Sequence, residues 1–154
     1  YTWVDLGSSY LPSDILAAFL FAQLEQADRI QAHRRRIWGY YAERLRGWAE
    51  ENHARLPTVP DHCDQAYHMF YLLLPSPAHQ QRLIAHLKDR GIMAVFHYQP
   101  LHLSEFGRRC GGCVGDCPVT EDVSRRLLRL PFHNCLTEQD QERVVEAVRG
   151  YTCQ

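Results

Sequence analysis

Lysine is almost absent from this chain of 154 residues, in which Lys88 is the only one. A lysine that bonds covalently to a substrate or cofactor must be desolvated or held beside its partner. Lys88 instead stands next to Asp89 and Arg90 and just before Gly91, where the sequence predicts the end of a helix. We therefore expect an exposed cation at this position and not a catalytic amine.

Long apolar runs and a charge of one sign are also lacking. No hydrophobic segment approaches the roughly 20 residues that cross a bilayer, and the first residues lack the pattern of a signal peptide. The formal net charge is -1 at pH 7. The one dense basic run, at 34–36, has acidic neighbours and is typical of a solvated helix face. These features argue against a membrane protein and a nucleic-acid binder, and they favour a cytoplasmic location.

The hydrophobic content of 45% is enough for one core, so we predict a single domain over residues 1–154. Apolar residues recur at helical spacing from about Asp14 to Glu51, and Ser13 is a suitable N-cap. This spacing predicts one long helix, or two nearly collinear ones that bend near the arginines at 34–36.

The rest of the chain alternates between predicted strands and helices. Strands are expected over 66–74, 92–98 and 129–132, and helices over 76–91, 120–128 and from 137 onward. Thr120 is the predicted cap of the second of these helices, and Thr137 with Asp140 resembles a capping box. The order of elements predicts an α+β fold, in which helices pack on a small, mainly antiparallel sheet.

Two segments carry candidate site residues. The turn Gly7-Ser8-Ser9 precedes a predicted helix and could bind a phosphate or carboxylate, although simple turn and cap chemistry would give the same pattern. The second segment runs from Phe96 to His102, where a predicted strand becomes a loop. Its histidines, His97 and His102, could be functional or ordinary polar residues.

A loop with three cysteines, Cys110, Cys113 and Cys117, is a candidate metal or redox site. Further ligands could come from Cys135, His133 and His102. Zinc sites usually combine two close pairs of ligands, and the second pair is missing here. We therefore predict reduced thiols and no metal site, with a metal-binding or redox module as the alternative.

Four blocks resemble, in the same order, the DegT/DnrJ/EryC1/StrS family of sugar aminotransferases. They are residues 1–14, His68–Tyr71, Gly91–His102 and Arg126–Pro131. More narrowly, they resemble the members that serve cell-surface polysaccharide synthesis of the enterobacterial common antigen type. The resemblance covers nearly the whole chain, and four ordered blocks are more specific than any one of them.

This resemblance implies a fold-type-I enzyme with pyridoxal 5'-phosphate, acting as a cytoplasmic homodimer. Glutamate would donate an amino group to C4 of a dTDP-4-keto-6-deoxyhexose. In this family the lysine that bonds to the cofactor belongs to a large domain, which would precede residue 1. The chain would then be the C-terminal small domain, inactive alone, with an exposed apolar surface where the large domain packs.

The resemblance also assigns candidate site residues. Ser9, and with it Ser8, would contact the cofactor phosphate of the partner subunit. Ser9 stands where the family commonly has Asn, and Leu11 stands where it has Arg. The segment with His97, Tyr98 and His102 would line the sugar-nucleotide side of the cleft.

Overall fold

The computed structural model describes residues 2–7 and 10–153, and in it helices pack on one small sheet. The elements are α1 Asp14–Leu24, α2 Ala27–Arg44, α3 Arg46–Glu51, β1 Tyr71–Leu73, α4 Pro77–Lys88, β2 Val95–Phe96, a 3₁₀ turn Leu101–Leu103, α5 Glu105–Arg109, α6 Pro118–Arg126, β3 Leu127–Arg129 and α7 Glu138–Arg149. The predicted α+β fold is confirmed. Among the described residues, no helix has the length and hydropathy needed to cross a membrane.

The long N-terminal helix is interrupted earlier than predicted. The break falls at Glu25 and Gln26, between α1 and α2, and a second break at Leu45 separates α2 from α3. The arginines at 34–36 lie inside α2, so the predicted bend there is wrong. Arginine is a good helix former, and no proline or glycine interrupts that part of the helix.

The sheet is antiparallel, with β3 between β1 and β2. Tyr71 of β1 and Val95 of β2 both pair with Arg129 of β3. Directly paired residues share a face of a sheet, so these three side chains lie on one side. The neighbouring Leu128 points to the other side and is fully buried.

All three strands are shorter than predicted. β3 begins at Leu127, directly after α6, and ends at Arg129. Pro131 has no backbone N–H and therefore cannot donate a hydrogen bond to a neighbouring strand. In the segment around β2, Ile92 and Ala94 are buried, as the predicted alternation requires. Phe96 and Tyr98 were predicted on the same face, but each is 40% exposed because the segment leaves the sheet at this point.

The hydrophobic core lies between the sheet and helices α2, α4 and α7. Its largest fully buried side chains include Ile37, Tyr41, Phe70 and Val145. The ring of Phe70 lies 5.4 Å from that of Tyr41. Aromatic contacts of this kind add to the free energy gained from burying apolar surface.

The predicted ends of α4 are confirmed. The hydroxyl of Ser76 accepts a backbone hydrogen bond from the first turn. At the other end, Gly91 has a φ of 71° and its N–H donates to the carbonyl of Lys88, while the N–H of Ile92 donates to that of Leu87. These are the two bonds of a Schellman motif. Lys88 is exposed, as expected.

The predicted start of α6 is wrong, whereas that of α7 is right. Thr120 lies inside α6, which begins at Pro118 after the N-cap residue Cys117. Proline is favoured at the first helical position because its fixed φ suits a helix and its missing N–H is not needed there. Thr137 and Asp140 form the predicted capping box of α7.

Helix α1 has no buried residue, although it is strongly apolar. Six of its large hydrophobic side chains are more than half exposed: Ile15, Leu16, Phe19, Leu20, Phe21 and Leu24. The sequence-based expectation of an exposed apolar surface is met in this helix. Contiguous exposed apolar surface of this kind is typical of an interaction site.

Candidate functional site

The residues that follow β2 form one wall of an open groove of about 700 Å³, which we call the His97 groove. Its other walls come from the 3₁₀ turn and α6. The lining is mostly apolar and includes Trp3, Tyr98, Leu101, His102, Val119 and Val123. The structure therefore brings the three predicted substrate contacts, His97, Tyr98 and His102, to one groove.

The rings of His97 and Tyr98 lie against each other, at a tilt, where the chain leaves β2. Their ring centroids lie 4.1 Å apart, with an angle of 37° between the planes. The guanidinium carbon of Arg129 lies 5.1 Å from the centre of the Tyr98 ring. A cation at this distance from an aromatic face is attracted by the negative potential of the ring.

The electrostatic surroundings of His97 disfavour its protonated form. Burial lowers the pKa of its imidazole below the usual 6.5, and the positive charges of Arg129 and then His68 lower it further. Its Nδ1 is buried and has no hydrogen-bond partner among residues 2–7 and 10–153. The ring therefore presents neutral nitrogen atoms at this site.

His102 lines the same groove, but its ring is held by a hydrogen bond to Glu121. Its Nε2 lies 2.9 Å from Oε1 of Glu121, and the two side chains are only 16% and 10% exposed. The same carboxylate accepts a bond of 2.7 Å from the N–H of Gly115. Hydrogen bonds from His102 and then Gly115 lower the pKa of Glu121. Substrate contact by His102 stays a prediction.

The loop that contains the cysteines wraps closely around the His102 turn. A Cβ on Gly112 would lie 2.3 Å from the carbonyl oxygen of His102, and one on Gly107 would lie 2.1 Å from that of Leu101. Backbone atoms at these distances leave no room for any side chain. The loop is therefore packed against the groove wall and is not a loose appendage.

The cysteines do not form a cluster. Cys110, Cys113 and Cys117 are exposed, and all six cysteines, each in the described part of the chain, are free thiols. No group of three or more His, Cys, Asp or Glu side chains suited to a metal ion occurs in the ranges 2–7 and 10–153. The described geometry gives no support to the alternative of a metal-binding module.

The predicted cofactor contacts, Ser8 and Ser9, lie outside the described residues. The segment that precedes them runs beside the groove, where the carbonyl of Trp3 accepts a hydrogen bond of 2.9 Å from the N–H of Phe106. Leu11, which replaces the arginine of the family pattern, is exposed. The phosphate-contact role of the two serines therefore stays a prediction.

Sequence reasoning missed two residues of this region, Arg129 and Glu121. Arg129 is the one charged residue in the run Leu127 to Pro131, and a charge inside an apolar strand is a usable signal. Nothing in the sequence around Glu121 marks it as a site residue. It stands among other polar residues, and its partner is 19 positions away.

Comparison with known proteins extends over nearly the whole chain. An uncharacterized protein of Methanocaldococcus jannaschii is 32% identical over 155 residues, which cover 97% of this chain and 39% of that protein. The dTDP-3-amino-3,4,6-trideoxy-alpha-D-glucose transaminase of Micromonospora megalomicea subsp. nigra is 27% identical and is matched over 88% of this chain and 36% of that protein.

Among solved structures, the crystal structure of DesV from S. venezuelae superposes with a TM-score of 0.78 and 29% identity. It is matched over 87% of this chain and 35% of its own length. The chain thus spans less than half the length of these relatives, and its fold is that of a part of fold-type-I aminotransferases. A family model matches residues 1–149. The chain belongs to the DegT/DnrJ/EryC1/StrS aminotransferase family.

Proposed function

We propose that this chain is the small domain of a dTDP-sugar aminotransferase similar to dTDP-4-amino-4,6-dideoxygalactose transaminase. The whole protein would transfer an amino group from glutamate to C4 of a dTDP-4-keto-6-deoxyhexose for cell-surface polysaccharide synthesis of the enterobacterial common antigen type. The family match over residues 1–149 carries this proposal. Several relatives are dTDP-sugar transaminases, and they support the substrate class.

In this proposal the His97 groove holds the sugar nucleotide. The tilted rings of His97 and Tyr98 offer a partly apolar surface for the deoxysugar. His102 contributes the adjoining wall while Glu121 fixes the orientation of its ring. The mostly apolar lining excludes water from the face on which the sugar rests.

The proposed cofactor is pyridoxal 5'-phosphate, whose ring withdraws electrons from the carbon that loses a proton during transamination. The described residues do not fit its covalent attachment, because Lys88 is exposed at the end of α4. This chain would supply phosphate contacts through Ser9 and Ser8 to the cofactor of the partner subunit. The attaching lysine would belong to a large domain of the full-length protein, a cytoplasmic homodimer.

The test is a comparison of two proteins with the same substrates. The full-length protein is expected to aminate dTDP-4-keto-6-deoxyglucose with glutamate as donor, and mass spectrometry identifies the aminated dTDP-sugar. The chain of residues 1–154 is expected to give no product, because it lacks a lysine that can attach the cofactor. In the full-length protein, Tyr98→Ala should raise the KM for the sugar nucleotide.

Two results would contradict the proposal. One is turnover by the 154-residue chain with a borohydride-stable pyridoxyl adduct on Lys88, since the catalytic lysine would then lie in this chain. The other is a full-length protein that aminates no dTDP-keto sugar. Replacement of glutamate by other amino acids tests the donor separately.

A further inference from the structure

Arg129 is a half-buried arginine without an acidic partner. It belongs to none of the ion pairs formed within the described residues. Its Nε is buried and has no hydrogen-bond acceptor in that part of the chain. A buried donor without an acceptor has lost its hydrogen bonds to water without replacement, and the free-energy cost is larger when the donor is charged. This cost calls for a compensating group.

The neighbouring histidine adds a second nitrogen atom without a partner in the ranges 2–7 and 10–153. The buried Nδ1 of His97 also lacks a partner among the described residues. Both Arg129 and His68 oppose protonation of His97, and in that part of the chain no carboxylate is among the groups that shift it. The Nε of Arg129 and the Nδ1 of His97 are thus two buried nitrogen atoms with unused hydrogen-bonding capacity in the described part of the chain.

The contact with Tyr98 does not satisfy these nitrogen atoms. The ring centre lies 5.1 Å from the guanidinium carbon, and a ring face attracts the charge without accepting directional hydrogen bonds from each N–H group. Arginine is held in place on the sheet, because Tyr71 and Val95 flank it from the neighbouring strands. The guanidinium thus lies beside Tyr98, which lines the His97 groove.

We propose that Arg129 and His97 form an anion-binding site that takes a carboxylate or phosphate group beside the His97 groove. Guanidinium groups bind both kinds of anion through paired N–H donors, and a neutral imidazole can donate one further N–H. Anion binding stands on the geometry alone. Its assignment to a substrate rests on the proposed function, in which the anion is the carboxylate of the amino donor or the diphosphate of the sugar nucleotide.

The first experiment measures anion binding without any activity. Inorganic phosphate and acetate are titrated separately into the 154-residue chain at constant ionic strength, and NMR follows the Arg129 Nε and His97 ring signals. We expect saturable shifts in the wild type. In Arg129→Gln, the Kd for the anion, followed at the His97 ring, should rise by about tenfold or more. Arg129→Lys should weaken anion binding less, because lysine keeps the positive charge although it lacks the paired N–H donors of a guanidinium. Arg149→Gln, at an exposed position of α7, should bind as the wild type does.

Equal affinity of wild type and Arg129→Gln for both anions would overturn the proposal, and so would the absence of saturable shifts in the wild type. Near-ultraviolet circular dichroism checks that each variant is folded, and Arg129→Lys replaces Arg129→Gln if the latter is not. A second experiment then separates the sources of the anion in the full-length protein. A raised KM for the amino donor alone indicates the carboxylate, and a raised KM for the sugar nucleotide alone indicates the diphosphate. If that protein proves not to be a transaminase, the titrations still decide whether the site binds anions.

Discussion

The carboxylate of Glu121 joins His102 to α6, with Oε1 of the acid 2.9 Å from Nε2 of the imidazole. The same oxygen accepts the N–H of Gly115 at 2.7 Å. One side chain thus connects the 3₁₀ turn of the groove wall, the loop that contains the cysteines, and the helix behind both. The shape of the groove depends on this carboxylate more than on any thiol of the loop.

Replacement of Glu121 by Gln should therefore destabilise the chain in a pH-dependent manner. The pKa of Glu121 is lowered from 4.5 by its hydrogen bonds from His102 and Gly115. A carboxyl group whose pKa is lower in the folded state contributes stability that is complete above about pH 4.5 and is lost as the pH falls below it. Urea unfolding at pH 7 should show the wild type more stable than Glu121→Gln, and this difference should shrink from pH 4.5 toward pH 3.

The exposed Glu51, at the end of α3, provides the matched control. Glu51→Gln makes the same change without removing the hydrogen bonds from His102 and Gly115, so its unfolding midpoint should remain near that of the wild type. A difference between wild type and Glu121→Gln that stays constant from pH 7 to pH 3 would contradict the assigned role of the carboxylate.

Gly112 should tolerate no side chain. Its Cβ would lie 2.3 Å from the carbonyl oxygen of His102, and backbone atoms cannot move aside as a flexible side chain can. Overpacking of this kind costs about 1–3 kcal/mol, so Gly112→Ala should lower the thermal midpoint. Gly39→Ala, inside α2 with nothing near its Cβ, should instead stabilise the chain by about 0.5–1 kcal/mol. Equal midpoints for the two variants would refute the packing argument.

The sequence predicted element types better than element ends. Hydrophobic spacing identified the helices because buried positions such as Ile37 and Val145 must face a core. The ends depend on local competition that spacing does not show. Pro118 starts α6 two residues before Thr120, the residue that looked like a cap.

The candidate site was predicted in part for a similar reason. His97, Tyr98 and His102 could be found because they are neighbours in sequence at the end of a strand. Arg129 and Glu121 reach the same region from other elements, through contacts that only the folded chain creates. Pairings across the sheet and across a loop leave no periodic trace in a single sequence.

Thr120 and Thr137, the two threonines that were predicted as helix caps, allow a direct test of capping. Thr137 caps α7, where its hydroxyl accepts the N–H of Asp140 at 3.1 Å. Thr137→Ala should cost about 1 kcal/mol, with a range of about 0.5–2. Thr120→Ala, in the interior of α6, removes no cap and should change stability little, since alanine is the better helix former. Urea unfolding measures both, and an equal loss in the two variants would show that the capping box contributes nothing.

Helix α1 should make the 154-residue chain associate with itself. Its apolar side chains are exposed, with Phe19 at 66%, and they surround the helix without a polar face. Phe19→Glu should reduce association, because each contact would then desolvate a charge. Gln23→Glu adds the same charge to the same helix at a polar position and should reduce it less. Sedimentation velocity at several concentrations distinguishes them, and a monomeric wild type would contradict the expectation.

The histidine of the groove should report the charge of Arg129 directly. Burial lowers the pKa of His97 below its usual 6.5, and the charges of Arg129 and His68 lower it further. Arg129→Gln should therefore raise the pKa of His97, and His68→Gln should raise it less, as followed by NMR of the ring protons. Because the folded-state pKa is lowered, the contribution of His97 to stability is complete above about pH 6.5 and is lost as the pH falls below that value. His97→Gln should remove that part of the pH dependence. An unchanged His97 pKa in Arg129→Gln would mean that the charge of the guanidinium does not act on this ring, and it would contradict the electrostatic coupling between Arg129 of β3 and His97 of the groove.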